Sequence, residues 1–485
     1  IVMNKADFTG SVYNIANGLQ AAYTQPYSEV LKSDFAGIGC SVATMIGGGS
    51  SHNFGLVVKG SNKYWKQLRR LLGLKKNKLR ETFAKVDEMM RITPLPVTVD
   101  LASRIIPFAQ KALIEGAEVI KQAWNVLRNT GPLRANDFLT QKMLSAMTDL
   151  RPQVSAVLDY NDGETEVSVC QSPYLFLDKT LGVRWSANKA YLPESYLTIH
   201  KSHLHIIEEA IVAKVSDDMV ELADGRSIRV KQKVIMATGG IYTPFLLQKS
   251  GFAGGIGRTL QNHYGCSLVM AIKGDDRVHD FSSGPVAFLP EGTGHDRDWE
   301  IVISGSTLTN FDFLKGQGVA VDELQKEGYH FVTVLLWLLH PKTRGSIDTT
   351  GDQPNINLHM FEDSDDNNSL VEAFRFLGKF AILFLGQLMS DGQDGRIVFP
   401  SLEVFQRDDP VELLDYVKKG VSVTDHYSAT CSAGKGYDHP VDPETFRFKA
   451  SSKIHVVDAS VIPLISNGNT EYPVLVVAEL AASVL

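Results

Sequence analysis

Four cysteines in 485 residues, with no C-x-x-C pair among them, leave this chain without the material for a zinc knuckle or a disulfide framework. Cys40, Cys170, Cys266 and Cys431 stand far apart, and they leave the redox compartment open. Long apolar runs are missing too. A membrane-crossing helix needs about 18 uncharged apolar residues; the nearest approach, Phe376 to Leu388, is shorter and holds Lys379. There is no surplus of basic charge. The formal net charge of −7 gives no support to nucleic-acid binding, which shows as a basic face or stripe. The opening residues, Ile1-Val2-Met3-Asn4, lack a basic stretch followed by an apolar core, so they show no signal peptide and assign no compartment. Asn367-Asn368-Ser369 has the form of a glycosylation triplet, a pattern common by chance.

With 44% hydrophobic and 21% charged residues, the chain has the composition of a globular protein that buries a sizeable core. Its length fits two to four units or one two-lobed enzyme. A Gly-rich turn, Gly47 to Ser51, precedes Leu56-Val57-Val58 and then a charged helical stretch from Tyr64 to Arg91. Ile105, Phe108, Ala112, Leu113, Ile120, Trp124 and Leu127 recur at helical steps and predict a long amphipathic helix over 101–127, packed as core. Short β runs follow at His205 to Val215, Met219 to Leu222 and Ile228 to Val230, with Asp224-Gly225 as the hairpin turn. Val234 to Met236, then Ala237-Thr238-Gly239-Gly240 and a helix from Tyr242, read as a strand–turn–helix unit. Small residues there let a ligand approach the backbone, and the helix N-terminus favours negative charge. Further on, the pattern predicts a helix over 369–389, a buried strand over 332–339, a strand over 454–460 that ends in Asp458, and a closing helix from Pro473.

Six of these segments, in order, resemble the glucose–methanol–choline (GMC) oxidoreductase family. Gly48-Gly49-Ser50-Ser51 with Asn53 resembles its signature loop over the flavin. Val234 to Gly251 is similar to its second signature, and Gly257 to His263 to the "G-x-N-L-x-D-H" segment. Pro341-Lys342-Thr343-Arg344-Gly345 resembles "P-x-S-R-G", and His426 to Cys431 "H-x-x-G-T-C". Val456 to Pro463 with Gly468-Asn469-Thr470 is similar to "V-V-D-A-S-x-x-P … G-N-T". The matches run from about residue 45 to the end.

The resemblance implies an α/β fold: a Rossmann-like FAD-binding domain from residues 1–75, 195–270 and 440–485, and an antiparallel-sheet substrate domain from 76–194 and 271–439. The implied activity is FAD-dependent oxidation of a small-molecule alcohol, with hydride passing to flavin N5. His426 is then the general base, and Asn469 hydrogen-bonds the substrate oxygen. An ordinary imidazole pKa near 6.5 suits that role. FAD contacts fall by resemblance to Gly48, Gly49, Ser50, Ser51, Asn53, Val212, Ala237, Thr238, Gly239, Asp458, Ala459 and Thr470. For Asp458 the competing reading is a capping acid. His263 and His439 receive no role, and no metal site is expected.

The family's opening strand–GxGxxG–helix is missing; Gly37-Ile38-Gly39 is only a two-glycine fragment. The absent piece is on the order of 50 residues. It is a separate or cleaved chain that completes the FAD site, a portion not included in this sequence, or a loss in a degenerate member. Without it, a parallel sheet exposes an apolar edge. His52 and Phe54 stand where small residues are commoner, Asn262 where aspartate is usual, and Ala429 where glycine is usual. The alternatives to alcohol oxidation are a flavin-bearing lyase or decarboxylase on the same scaffold, and a structural homologue without turnover.

Overall fold

The structure, a computed structural model, describes residues 28–35, 38–51, 53, 55–92, 138–157, 160–161, 167–170, 177–178, 183–207, 209–274, 285–291, 296–305 and 309–485. The helix expected over 101–127, and His52 and Phe54, lie outside the described residues.

A large sheet organises one core. Its strand order is Asp394–Phe399, Tyr264–Lys273, His330–Leu338, Trp299–Ser304, Val286–Leu289, Ser168–Cys170 and Ser155–Ala156, with Val421–Val423 also pairing with Tyr264–Lys273. All these pairings are antiparallel except the last, between Ser155–Ala156 and Ser168–Cys170. Side chains alternate across a strand, and His330–Leu338 shows the result. Val332, Val334, Leu336 and Leu338 enter the core under the long helix Ser364–Ser390, whereas Leu335 and Trp337 pack with Leu56, Val58, Tyr160 and Phe288 on the opposite face. Both faces are covered, so the strand reads as continuously apolar.

The long helix starts five residues before the expected Ser369. The polar opening Ser364-Asp365-Asp366-Asn367-Asn368 carries no apolar period. Asp363 caps it by accepting from the N–H groups of Asp365 and Asp366. The charged stretch expected as one helix is two, Asn62–Leu71 and Lys76–Met89, because Gly73 turns left-handed at φ 66° and ends the first.

A second core gathers Val57, Tyr64, Trp65, Leu79 and Val86 with Met236, Leu247, Ile454, Val456, Tyr472 and Val476. At its centre Val234–Met236 and Ile454–Val456 form a parallel pair. Ile235 on that pair is 46% exposed. The three-stranded meander is Val212–Val215, Met219–Leu222 and Ser227–Arg229. Its first strand is shorter than the expected His205 to Val215, since the partner offers only four residues and a register shift breaks the pairing after Val212. The helix after Met236 runs Gly239–Lys249 and begins before the expected Tyr242. The 454–460 segment is a strand only to Val456, after which Ala459–Val461 tightens into a 3-10 turn. The closing helix is Glu471–Ala482.

Candidate active site

Gln261, Asn262 and His263 lie just before the strand Tyr264–Lys273, and all three reach outward into two C-terminal segments. Gln261 exchanges backbone hydrogen bonds with Ser428 at 3.0 Å in each direction. Its side-chain amide donates to the Pro463 carbonyl and accepts the Ile465 N–H. Asn262 Oδ1 accepts the His426 N–H at 2.8 Å and the Thr424 hydroxyl at 3.1 Å. His263 Nδ1 lies 2.9 Å from His426 Nδ1, and its Nε2 lies 2.8 Å from the Ser466 carbonyl. The two rings stand edge to face, 5.1 Å between centroids at 88°.

Thus His426 and the loop leading to Asn469 meet on one tripeptide. Ser466 continues the link, donating its hydroxyl to the Gly468 carbonyl at 2.6 Å. Asn469 Oδ1 is buried and has no hydrogen-bond partner among the described residues. The His426 ring is closely surrounded by protein although the residue's surface is only partly covered, and burial pushes its pKa down to about 3, well below the 6.5 assumed from sequence. His263 is also pushed well below its ordinary value, first by burial and then by the neighbouring His426. Both imidazoles are therefore neutral at pH 7.

The signature loop folds as a 3-10 turn, Gly48–Ser51. Ser50 donates to the Gly47 carbonyl and accepts the Ala187 N–H, and Ser51 donates to the Ile46 carbonyl. Asn53 donates its amide to the Glu471 carboxylate, which ties this loop to the first turn of the closing helix, one residue past Thr470. Gly48 and Gly49 face open space: no described atom lies within 4 Å of where a Cβ would sit.

Gly239, at φ 86° with the same open space, begins the helix after Ala237 and Thr238. Its N–H is held by Asp458 Oδ2 at 2.9 Å, which also accepts from Thr243 Oγ1 at 2.6 Å. Because the Thr243 hydroxyl proton goes to Asp458, Thr238 is the donor in the 2.7 Å Thr238–Thr243 contact. Asp458 Oδ1 takes the N–H and hydroxyl of Ser460 at 2.9 and 2.5 Å. Four protein donors thus occupy this carboxylate. Burial still outweighs them and raises its pKa. Asp458 caps the Ala459–Val461 turn with its side chain. Val212 lies apart, half-buried at the start of the meander.

Sequence reasoning passed over His263 and His340 at this centre, and Glu300 in the large sheet. His263 was assigned no role, although its position beside Asn262 in a recognisable segment was a usable signal. His340, its pKa lowered mainly by burial, adds an electrostatic contribution at His263 and borders a cavity of about 120 Å³ with Lys63, Tyr64, Gln67, Asp296 and Asn467. Glu300 is fully buried on the sheet face that carries Trp337 and Phe288, its cross-strand partners, and neither carboxylate oxygen has a hydrogen-bond partner among the described residues. Burial pushes it up to about 8, against the opposing charge of Arg297.

Two family models described as GMC oxidoreductase match this chain, the N-terminal one over residues 33–265 and the C-terminal one over 341–478. The chain belongs to the GMC oxidoreductase family. The oxygen-dependent choline dehydrogenase of Staphylococcus saprophyticus is 27% identical to this GMC protein over 350 residues, covering 63% of the chain and 60% of that relative. The Vibrio vulnificus protein of the same name is 26% identical over 361 residues, again with 60% of its length covered. The chain thus spans about three-fifths of these curated relatives. These matches give no support to a separate chain that carries the dinucleotide motif. Among solved structures, pyridoxine 4-oxidase from Mesorbium loti superimposes with a TM-score of 0.74 at 18% identity, over 99% of this chain and 92% of that one. A formate oxidase of Aspergillus oryzae gives 0.68 at 16%, over 98% and 91%. Both share the fold, which is α/β of GMC type. FAD is the family's cofactor. The open, glycine-bordered turns at Gly48-Gly49 and Gly239 and the unpartnered Asn469 amide oxygen fit such a group. No helix among the described residues is long and apolar enough to cross a membrane.

Proposed function

We propose that this protein oxidises the hydroxyl-bearing carbon of a small alcohol, with His426 as the base and Asn469 as the partner of the substrate oxygen. The observation that carries the reading is the convergence of the His426 ring and the Asn469 loop on His263. FAD, held by resemblance along Gly48 to Ser51, Asn53, Val212, Ala237 to Gly239, the Asp458-Ala459 backbone and Thr470, supplies the acceptor for the hydride when it is bound. The chain's own residues do the rest. A neutral His426 has a lone pair ready for the hydroxyl proton. The Asn469 carboxamide, whose buried oxygen has no hydrogen-bond partner among the described residues, is left to meet a bound polar group. Its amide NH₂ can stabilise charge that develops on the substrate oxygen. The curated relatives are named for choline, an alcohol, which supports an alcohol as the substrate class here.

The test is anaerobic. Purified protein is mixed with a panel of alcohols, choline among them, while the visible flavin absorption is followed. Bleaching by at least one alcohol, and its slowing by about 10²- to 10⁴-fold in His426→Ala, is expected. A flavin that no alcohol bleaches removes the reading and leaves the lyase alternative in place.

A further inference from the structure

We infer that His263 is a positioning residue that fixes which nitrogen of His426 is bare. The inference rests on the reading of His426 as the base and extends it to a second residue. The Ser466 carbonyl can only accept, so the ring nitrogen 2.8 Å from it, His263 Nε2, carries a proton. A neutral imidazole has one proton, so His263 Nδ1 is a lone pair. That lone pair faces His426 Nδ1 at 2.9 Å, and two facing nitrogens at this distance share one proton. The proton therefore belongs to His426 Nδ1, and the bare nitrogen of His426 is Nε2.

The backbone holds this order. Asn262, next in sequence to His263, grips the His426 N–H, and Gln261 grips Ser428 and Ile465. One tripeptide thus sets both ring positions and the carbonyl that starts the chain of donors. When His426 Nε2 takes up a substrate proton, the ring becomes an imidazolium whose Nδ1–H still points at the His263 lone pair. His263 thereby shares the new charge without taking the proton. Hydrogen bonding to the charged form of this kind favours protonation of His426.

The test reads the tautomer directly. Full-length protein with its flavin bound is prepared with ¹⁵N-labelled histidine, and the His426 signals are assigned by their loss in His426→Asn. Between pH 6 and 8 the expected spectrum shows His426 with Nδ1 protonated and Nε2 bare. His263→Leu, which removes the acceptor, is expected to populate the Nε2–H form. It should also slow flavin reduction by at least about tenfold, with KM and flavin content little changed. His263→Asn places an amide oxygen close to the lost Nδ1, since both branch from Cγ, and is expected to recover most of the rate. A protonated Nε2 on His426 in the unmodified protein overturns the inference, as does an unchanged tautomer in His263→Leu. The first of these needs no variant to fold. If the tautomer is as expected but His426→Ala reduces flavin normally, the base assignment fails and the His263–His426 relationship stands.

Discussion

Asn262 holds the His426 N–H through Oδ1 at 2.8 Å, while its own Nδ2 is buried with no hydrogen-bond partner among the described residues. Only the acceptor half of this amide is used. Asn262→Asp keeps that acceptor and replaces the idle NH₂ with a second carboxylate oxygen beside an imidazole. A nearby negative charge favours the protonated imidazole. The His426 pKa, pushed down to about 3 by burial, is expected to rise toward the ordinary range near 6.5. In the unmodified protein, anaerobic flavin reduction should show no break near pH 6.5; in Asn262→Asp the acid limb should move upward into the measurable range. Identical pH profiles would count against this account of the pair.

Gly240 presses its α-carbon against the chain just after His426. A Cβ there would lie 2.1 Å from the Tyr427 carbonyl oxygen and 2.6 Å from its carbon, both backbone atoms that cannot swing aside. Gly240→Ala must displace Tyr427 and, with it, His426. Overpacking of this kind costs about 1–3 kcal/mol. We expect a lower denaturation midpoint together with slowed flavin reduction. Loss of stability with an unchanged reduction rate would mean that Tyr427 moves without carrying His426.

Ala429 stands at φ 67°, in the left-handed region where the family uses glycine, and is buried. Replacement by glycine relieves about 1–2 kcal/mol of strain. It also loosens the unfolded chain by about 0.4–1 kcal/mol and removes a buried methyl worth about 0.8 kcal/mol. The terms nearly cancel, which is why alanine is tolerated here. Ala429→Gly is therefore expected to leave stability within about 1 kcal/mol. Ala429→Val, β-branched in the same conformation, should destabilise by more than about 2 kcal/mol. Urea denaturation of the two variants decides the matter, and a large effect in Ala429→Gly would contradict the balance.

Glu300 gives a stability slope with a definite sign. An unfolded glutamate titrates near about 4.3, whereas burial holds Glu300 up to about 8. Between those values the unfolded chain releases a proton that the folded chain keeps, so the folded state binds more protons and stability falls as pH rises. The contribution is complete below about pH 4 and is lost as pH rises through about 8. Glu300→Gln stays neutral throughout and should flatten the slope by an amount on the order of 5 kcal/mol across that window. Denaturation measured at three pH values checks it; equal slopes in both proteins would show that Glu300 is ionised in the fold.

The buried strand within His330–Leu338, the strand–turn–helix around Gly239 and Asp458 as a capping acid are local chemistry and were legible in the residues, whereas the cap at Asp363 and the division of that strand's side chains between two cores were not. Motif order alone led to the family and to His426 and Asn469 as candidates, because a short motif preserves which residue types stand beside one another. The sequence also showed that Ala429 and Asn262 depart from the usual pattern. It could not show their consequences, since φ and hydrogen-bond partners belong to the folded chain. The low pKa of His426 comes from protein packed around the ring by segments far apart in sequence. The pairing of His263 with His426 joins residues 163 positions apart and depends on a carbonyl from a third segment, at Ser466. Likewise, Glu300 is one polar residue in an apolar strand until Phe288 and Trp337 close over it. Local sequence determined which groups are present; only the tertiary structure decided which of them are dry, which share a proton and which lack a partner, because desolvation and proton sharing depend on neighbours brought together across the whole chain.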